Sequence, residues 1–261
     1  MRISSFFMPF FALVSGAAGF YLRLTELLNI IDTRTGLAQR GARESYVLIA
    51  LCVVFLILSL LFSIRASVKR QAPRGFDNAY GTDPLTYPFS FILVGIAWLG
   101  ATVKHFFDFY SAGSIPMTEL YFSILSALAA ISVACFAIEM FQDPRRKMVY
   151  ALSIVPSLFM CFWLIVLYRR NATNPVLISY VYQSLAVISS SLAFYFTSGF
   201  VYGKPAPGKT IFAYLVAIFF CFVTLADGHS LAVSVIFAAL IATNTIYSSK
   251  LIRNLRRRTK P

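Results

Sequence analysis

The sequence predicts an all-α protein, a polytopic transmembrane helix bundle of eight spans with both termini cytoplasmic, and three observations predict it. First, 59% of the 261 residues are hydrophobic and 13% charged, with a mean hydropathy of +0.75, which leaves too little polar surface to cover a soluble globule. Second, eight apolar stretches each approach the roughly 20 residues that a helix needs to cross a bilayer. Third, these stretches lack the alternate-residue patterning of a membrane barrel, and Lys and Arg concentrate in every second loop.

The first span, 5–24, follows Arg2 and is closed by Arg23 and Glu26. Its run from Phe6 to Val14, followed by Ser15, Gly16 and Ala17, also has the outline of a secretory signal, whose removal would leave seven spans. Apolar residues continuing through Phe20, Tyr21 and Leu22 favour a retained span. The second span, 45–64, runs into Arg65 and a linker, 65–87, punctuated by Pro73, Gly75, Gly81 and Pro84. The third, 88–107, ends among Lys104, His105 and Asp108, and the fourth, 117–141, opens at Glu119. Ser126, Ala130 and Ala134 on the fourth span, and Ala12 with Gly16 on the first, are small residues at helical spacing and predict close-packed seams. The fifth, 148–168, contains Pro156, which frees the carbonyl near residue 152 and kinks the helix, and it ends at Arg169 and Arg170. The sixth, 176–202, is the most polar span. The seventh, 210–226, and the eighth, 230–249, are joined by a turn carrying Asp227 and His229. Tyr21, Tyr87, Tyr168 and Tyr202 fall near span ends with several other tyrosines, as an interfacial belt.

Basic residues flanking a span are retained on the cytoplasmic side, so their distribution orients the chain. With both termini inside, the inner segments hold Arg2, then Arg65, Lys69, Arg70 and Arg74, then Arg145, Arg146 and Lys147, then Lys204 and Lys209, and finally the cluster from Lys250 to Lys260. The outer segments hold Arg23, Arg34, Arg40, Arg43, Lys104, Arg169 and Arg170, fewer than half as many. The first outer loop fits least well, although Glu26, Asp32 and Glu44 share it. Residues 1–261 form a single integral membrane domain, since no loop is long enough to fold separately. Residues 65–87 form the cytoplasmic loop best placed to meet a partner. The basic tail, 250–261, directly follows a span, so the +13 net charge points to anionic lipid headgroups and not to nucleic acid.

One motif match fails on context. Residues 203–210, GKPAPGKT, fit the GxxxxGK[ST] spacing of a nucleotide phosphate loop, which joins a strand to a helix. Here the segment joins two apolar spans, and the nearest downstream aspartate, Asp227, lies about 25 Å from Thr210 along the seventh helix. No nucleotide partner follows. Cys52, Cys135, Cys161 and Cys221 all fall within spans with no CxxC pair, so neither a disulfide framework nor a metal site is signalled, and no cofactor is implied. The sequon Asn171, Ala172, Thr173 sits too close to the membrane for glycosylation.

Ionisable groups at the outer ends of the spans are the strongest candidates for function. Arg23, Glu26, Asp32, His105 and Asp108 would share one rim with Glu119, Arg169, Arg170, Asp227 and His229, suited to a small zwitterionic or anionic ligand or to a membrane-protein partner. The competing reading is an ordinary solvated headgroup zone with surface pairs such as Lys104 and Asp108, spaced i,i+4. Asp227, His229 and Ser230 invite a hydrolase reading, but three neighbours on one turn rarely have triad geometry, and no catalytic residue is assigned. The second candidate is a polar pathway on the sixth span, where Ser179, Gln183 and Ser190 share a helix face; its competing reading is hydroxyls that stabilise helix packing.

The opening GAAGFYLRLTELLNIIDTRTGLAQRG, with Gly19, Arg23, Glu26, Asp32 and Gly36, resembles the amino-terminal signature of uncharacterised multi-span membrane proteins of clostridial bacteria, and PSLFMCFWLIVLYRRNATNPVLISYVY, from Pro156 to Tyr182, is similar to a second segment of that group. The resemblance implies a topology, a bacterial cytoplasmic membrane, and weight on Arg23, Glu26 and Asp32; it implies no activity. Two classes of function remain. One is a small-solute or ion permease using the polar sixth-span face. The other is a non-catalytic membrane-embedded sensor, scaffold or accessory subunit that binds a ligand or partner at the rim. An enzyme acting on lipid comes third.

Overall fold

A computed structural model describes residues 3–29, 43–71, 76–81, 86–113, 116–139, 148–174 and 176–257. Among them the helices are α1 (Ile3–Asn29), α2 (Arg43–Lys69), the short α3 (Phe76–Tyr80), α4 (Thr86–Ser111), α5 (Met117–Glu139), α6 (Met148–Asn171), α7 (Val181–Val201), α8 (Pro207–Thr224) and α9 (Leu231–Asn254). All but α3 are long and apolar enough to cross a membrane, and the chain is an all-α polytopic bundle. Helices α4 to α9 each pack on the next, and α9 returns to α4, closing a ring. Both α1 and α2 lie against α8, which is the most enclosed helix.

Side chains fill the ring. Trp98 of α4 meets Phe159 of α6 at 5.9 Å between ring centroids, Phe122 of α5 meets Trp163 of α6 at 5.2 Å, and Trp163 meets Phe237 of α9 at 5.0 Å. These separations are those of edge-on and offset aromatic pairs, which add packing energy beyond simple burial. Trp98 Nε1 donates to Ser126 Oγ at 3.0 Å, so the indole nitrogen is satisfied in a dry core.

The small-residue seams lie where their spacing predicts. Gly16 of α1 faces Phe222 of α8, and a side-chain Cβ there would come within 2.8 Å of the Phe222 Cβ. A Cβ on Gly95 of α4 would meet the Ala134 Cβ of α5 at 2.8 Å and the Ala130 carbonyl at 3.1 Å. Overpacking a tight seam costs about 1–3 kcal/mol. Gly95→Leu is therefore expected to lower the unfolding midpoint in detergent, whereas the same change at Gly100, which has nothing within 4 Å, is expected to leave it unmoved. Equal effects at both positions would refute the seam. Pro156 also acts as its chemistry requires: the carbonyl of Leu152, four residues earlier, accepts a hydrogen bond from Ser132 Oγ of α5, and Ser198 Oγ of α7 donates to the Ser153 carbonyl at 2.6 Å.

Two features differ from the sequence reading. The sixth span is broken near its start: Leu177–Ser179 forms a 3-10 turn, Tyr180 leaves helical geometry, and α7 begins at Val181. Local side-chain bonds compete with the helix there, because Asn174 Oδ1 accepts from the Val176 amide at 3.0 Å and Ser179 Oγ donates to the Val176 carbonyl at 2.7 Å. The linker after α2 is not wholly a surface loop. Its α3 inserts Phe76 and Tyr80 into the end of the ring, where Tyr80 is fully buried. Asn254 Nδ2 of α9 ties α3 down by donating to the carbonyls of Ala79 and Gly81, at 3.0 and 3.2 Å. A two-residue antiparallel backbone pairing, Arg70–Gln71 with Arg256–Arg257, joins the end of α2 to the basic tail.

Candidate functional site

One face of α1 builds the site. Gly16, Gly19, Arg23 and Glu26 recur at spacings of three and four, so they share a face, and the two glycines bring it against Phe222 and Val223 of α8. That approach puts Arg23 within reach of the chain leaving α8. Leu225–Asp227 tightens into a 3-10 turn and Gly228 follows at φ +69°, a left-handed turn, before Ser230 caps α9 by accepting from the Val233 amide at 3.4 Å.

Arg23, only 1% exposed, donates from Nε to Asp227 Oδ1 and from an Nη to Glu26 Oε2, both at 2.7 Å. Its guanidinium stands 4.9 Å from the centroid of Tyr182 on α7. The other Glu26 oxygen accepts from Ser45 Oγ of α2 at 2.5 Å. Thr224 Oγ1 of α8 lies 3.0 Å from Asp227 Oδ2 and 3.1 Å from His229 Nε2. Thr224 Oγ1 donates its single proton to Asp227 Oδ2, so its contact with His229 is a hydrogen bond in the tautomer that carries the proton on Nε2. The result is one continuous chain, His229–Thr224–Asp227–Arg23–Glu26–Ser45, drawn from α8, the following turn, α1 and α2, buried at Arg23, Glu26 and Thr224 and half-buried at the other three. Burial pushes the His229 imidazole below its ordinary range, against the opposing pull of the Asp227 carboxylate. Among the described residues the chain joins two carboxylates, Glu26 and Asp227, to one guanidinium, Arg23.

A second group gathers on α4, α5 and α6. Glu119, in the first turn of α5 where the helix dipole favours an anion, accepts from an Nη of Arg170 at the end of α6. Its other oxygen is buried without a hydrogen-bond partner and lies 3.6 Å from His105 Nε2 of α4, while His105 Nδ1 lies 3.2 Å from Ser123 Oγ.

The sequence-named residues therefore separate. Arg23 and Glu26 come together, His105 belongs to the second group, and Asp108 pairs at 2.9 Å with Lys104 on the exposed face of α4, a bond of little energetic weight. Asp32 lies outside the described residues. Ser179 sits on the 3-10 turn and is exposed, Gln183 is half-buried on α7, and Ser190 is fully buried with its hydroxyl 3.6 Å from Cys221 Sγ. Ser184, Ser189 and Thr197 return their hydroxyls to carbonyls one turn back at 2.7 to 2.9 Å. Ser230 serves as a cap, and His229 turns to Thr224. Among the described residues no three His, Cys, Asp or Glu side chains gather as metal ligands, and the four cysteines are free thiols.

Ser45 and Thr224 escaped the sequence reading. The only signal for them was a hydroxyl near a span end, which many residues here share. No family model, no curated protein and no solved structure matches the chain.

Proposed function

We propose that the protein is a non-catalytic membrane sensor or accessory subunit whose hydrogen-bonded chain from His229 to Ser45 responds to a proton or to a small cationic group. One observation carries this reading: among the described residues two carboxylates, those of Glu26 and Asp227, are held against one guanidinium, that of Arg23, away from water. Ionised groups in such surroundings are costly, so a cation or proton that lowers the cost acts on the helices the chain ties together. The charge division of the loops supports reading this rim as the outer one with both termini inside, and the resemblance of the opening segment implies a bacterial cytoplasmic membrane.

His229 supplies an optical test. Its ring is 5.4 Å from Phe237, which is in turn 5.0 Å from Trp163, one of two tryptophans. Because the folded imidazole holds its proton less tightly than the ordinary value of about 6.5, the unfolded chain binds more protons just below that pH. Stability therefore rises with pH across that window and is lost on acidification. Between pH 5 and 7.5 the wild-type protein is expected to show a rising unfolding midpoint and a change in tryptophan emission, and His229→Gln is expected to reduce both. Identical profiles for the two proteins would sink the reading.

The permease remains a second reading, favoured by one observation. The closed ring of α4–α9 contains a string of hydroxyls at Tyr80, Tyr214 and Thr197, with 3.0 Å between the two phenols, and α3 stoppers one end. Solute flux into proteoliposomes that falls with Gln183→Ala would support it; no flux above empty vesicles across amino acids, sugars and alkali cations would remove it.

A further inference from the structure

The segment with phosphate-loop spacing has another structural purpose, which leaves its two lysines poised over a pair of grooves. Helix α7 ends in a Schellman turn: Gly203 sits at φ +70°, the Lys204 amide donates to the Gly199 carbonyl at 2.7 Å, and the Gly203 amide donates to Phe200 at 3.4 Å. Pro205 prevents the helix from continuing, and Pro207 opens α8. A Cβ on Gly208 would lie 2.8 Å from the Ser67 Cβ of α2, and the Gly208 carbonyl accepts from Ser63 Oγ. The bend is thereby pinned to α2, with Lys204 and Lys209 exposed beside Tyr202, where the spans of α7 and α8 end. Among the described residues neither lysine has a carboxylate partner.

Two apolar grooves flank α7 beneath them. One, of about 520 Å³, runs between α2, α7 and α8 past Leu60, Ile188, Leu192 and Val216. The other, of about 380 Å³, runs between α6 and α7 past Ile154 and Tyr195. Both volumes lie in the roughly 300–1,000 Å³ range of small-molecule sites. Phe196 and Lys209 line both grooves, and Lys204 lines the second. Exposed Leu60, Ile188, Leu192, Ile154 and Tyr195 open them sideways, toward lipid.

We propose that this is a binding site for one anionic, two-chain phospholipid, its phosphate held by Lys204 and Lys209 and one acyl chain in each groove on either side of Phe196. Charge complementarity selects the occupant. Two unpaired cations at headgroup level call for an anion, and two apolar grooves that converge on one of those cations call for two hydrocarbon chains from one headgroup. The site does not depend on the rim.

Native mass spectrometry of the detergent-purified, delipidated protein would test it, with phosphatidylglycerol and phosphatidylcholine of identical chains as probes. Wild-type protein is expected to retain phosphatidylglycerol about 10- to 30-fold more tightly, the worth of two lysines near an anionic headgroup. K204Q/K209Q is expected to lose that preference, and Ile188→Trp, which fills the larger groove without altering charge, is expected to weaken both lipids. Excess inorganic phosphate is expected not to displace the lipid, because it has no chains. Equal retention of the two lipids by the wild-type protein, or undiminished preference in K204Q/K209Q, would overturn the proposal.

Discussion

Arg23→Met is expected to destabilise the protein by about 3–5 kcal/mol, because it removes the buried cation to which Glu26 and Asp227 are both bonded. The direction of the companion changes makes the result diagnostic. Asp227→Asn removes one of the two carboxylates and leaves Arg23 paired with Glu26, so its cost is expected to be much smaller than that of Arg23→Met. Glu26→Gln leaves Arg23 with Asp227 and is expected to behave likewise. If each hydrogen bond in the chain contributed alike, the three variants would lose similar stability, since each breaks one or two bonds. Thermal unfolding of the three in one detergent distinguishes these cases, and equal losses would contradict the charge argument. Combining Arg23→Met with Asp227→Asn is expected to recover part of the loss, as neighbours in one network are not additive.

Tyr80→Ala is expected to cost about 3–5 kcal/mol, the range for deleting a fully buried aromatic ring. Tyr80 is the keystone by which α3 enters the ring. Its ring centroid lies 4.7 Å from Phe76, 5.3 Å from Phe200 and 5.4 Å from Tyr247, and its hydroxyl is 3.0 Å from that of Tyr214. Burial raises its phenol above the ordinary range, so it acts as a neutral hydrogen-bonding group. Tyr80→Phe keeps the ring and leaves Tyr214 bonded to Thr197, so about 1 kcal/mol is expected. Limited proteolysis between α2 and α4 reports the same event locally: cleavage is expected to accelerate in Tyr80→Ala and not in Tyr80→Phe. Equal rates in the two variants would show that α3 is held by other contacts.

Residue-level legibility followed the range of the interaction. Pro156 and the freed carbonyl of Leu152 were readable because the cause and the consequence lie four residues apart; that Ser132 of α5 would satisfy it was not. Arg23, Glu26 and Asp227 were readable as charges at span ends on one rim; that Asp227, 204 residues from Arg23, would bond to it directly was not. His105 and Asp108 have the spacing of partners on α4, but Asp108 turns outward to Lys104 and His105 turns inward to Glu119 and Ser123. Ser179, Gln183 and Ser190 would share a face only if the helix were unbroken, and Asn174 breaks it by bonding to the backbone around Val176.

Spans, their number and the charge asymmetry across them follow from the chain alone, because each depends on a contiguous run of apolar residues or on the basic residues beside it. Packing chose which carboxylate meets which cation, that α3 enters the bundle, and that two grooves share Lys209. In a membrane helix the lipid-facing and protein-facing sides are both apolar, so hydrophobic patterning holds little information about which face meets which neighbour. That information resides in glycines such as Gly16 and Gly95, in hydroxyls and in a few buried charges, and it takes effect only when helices distant in sequence come together.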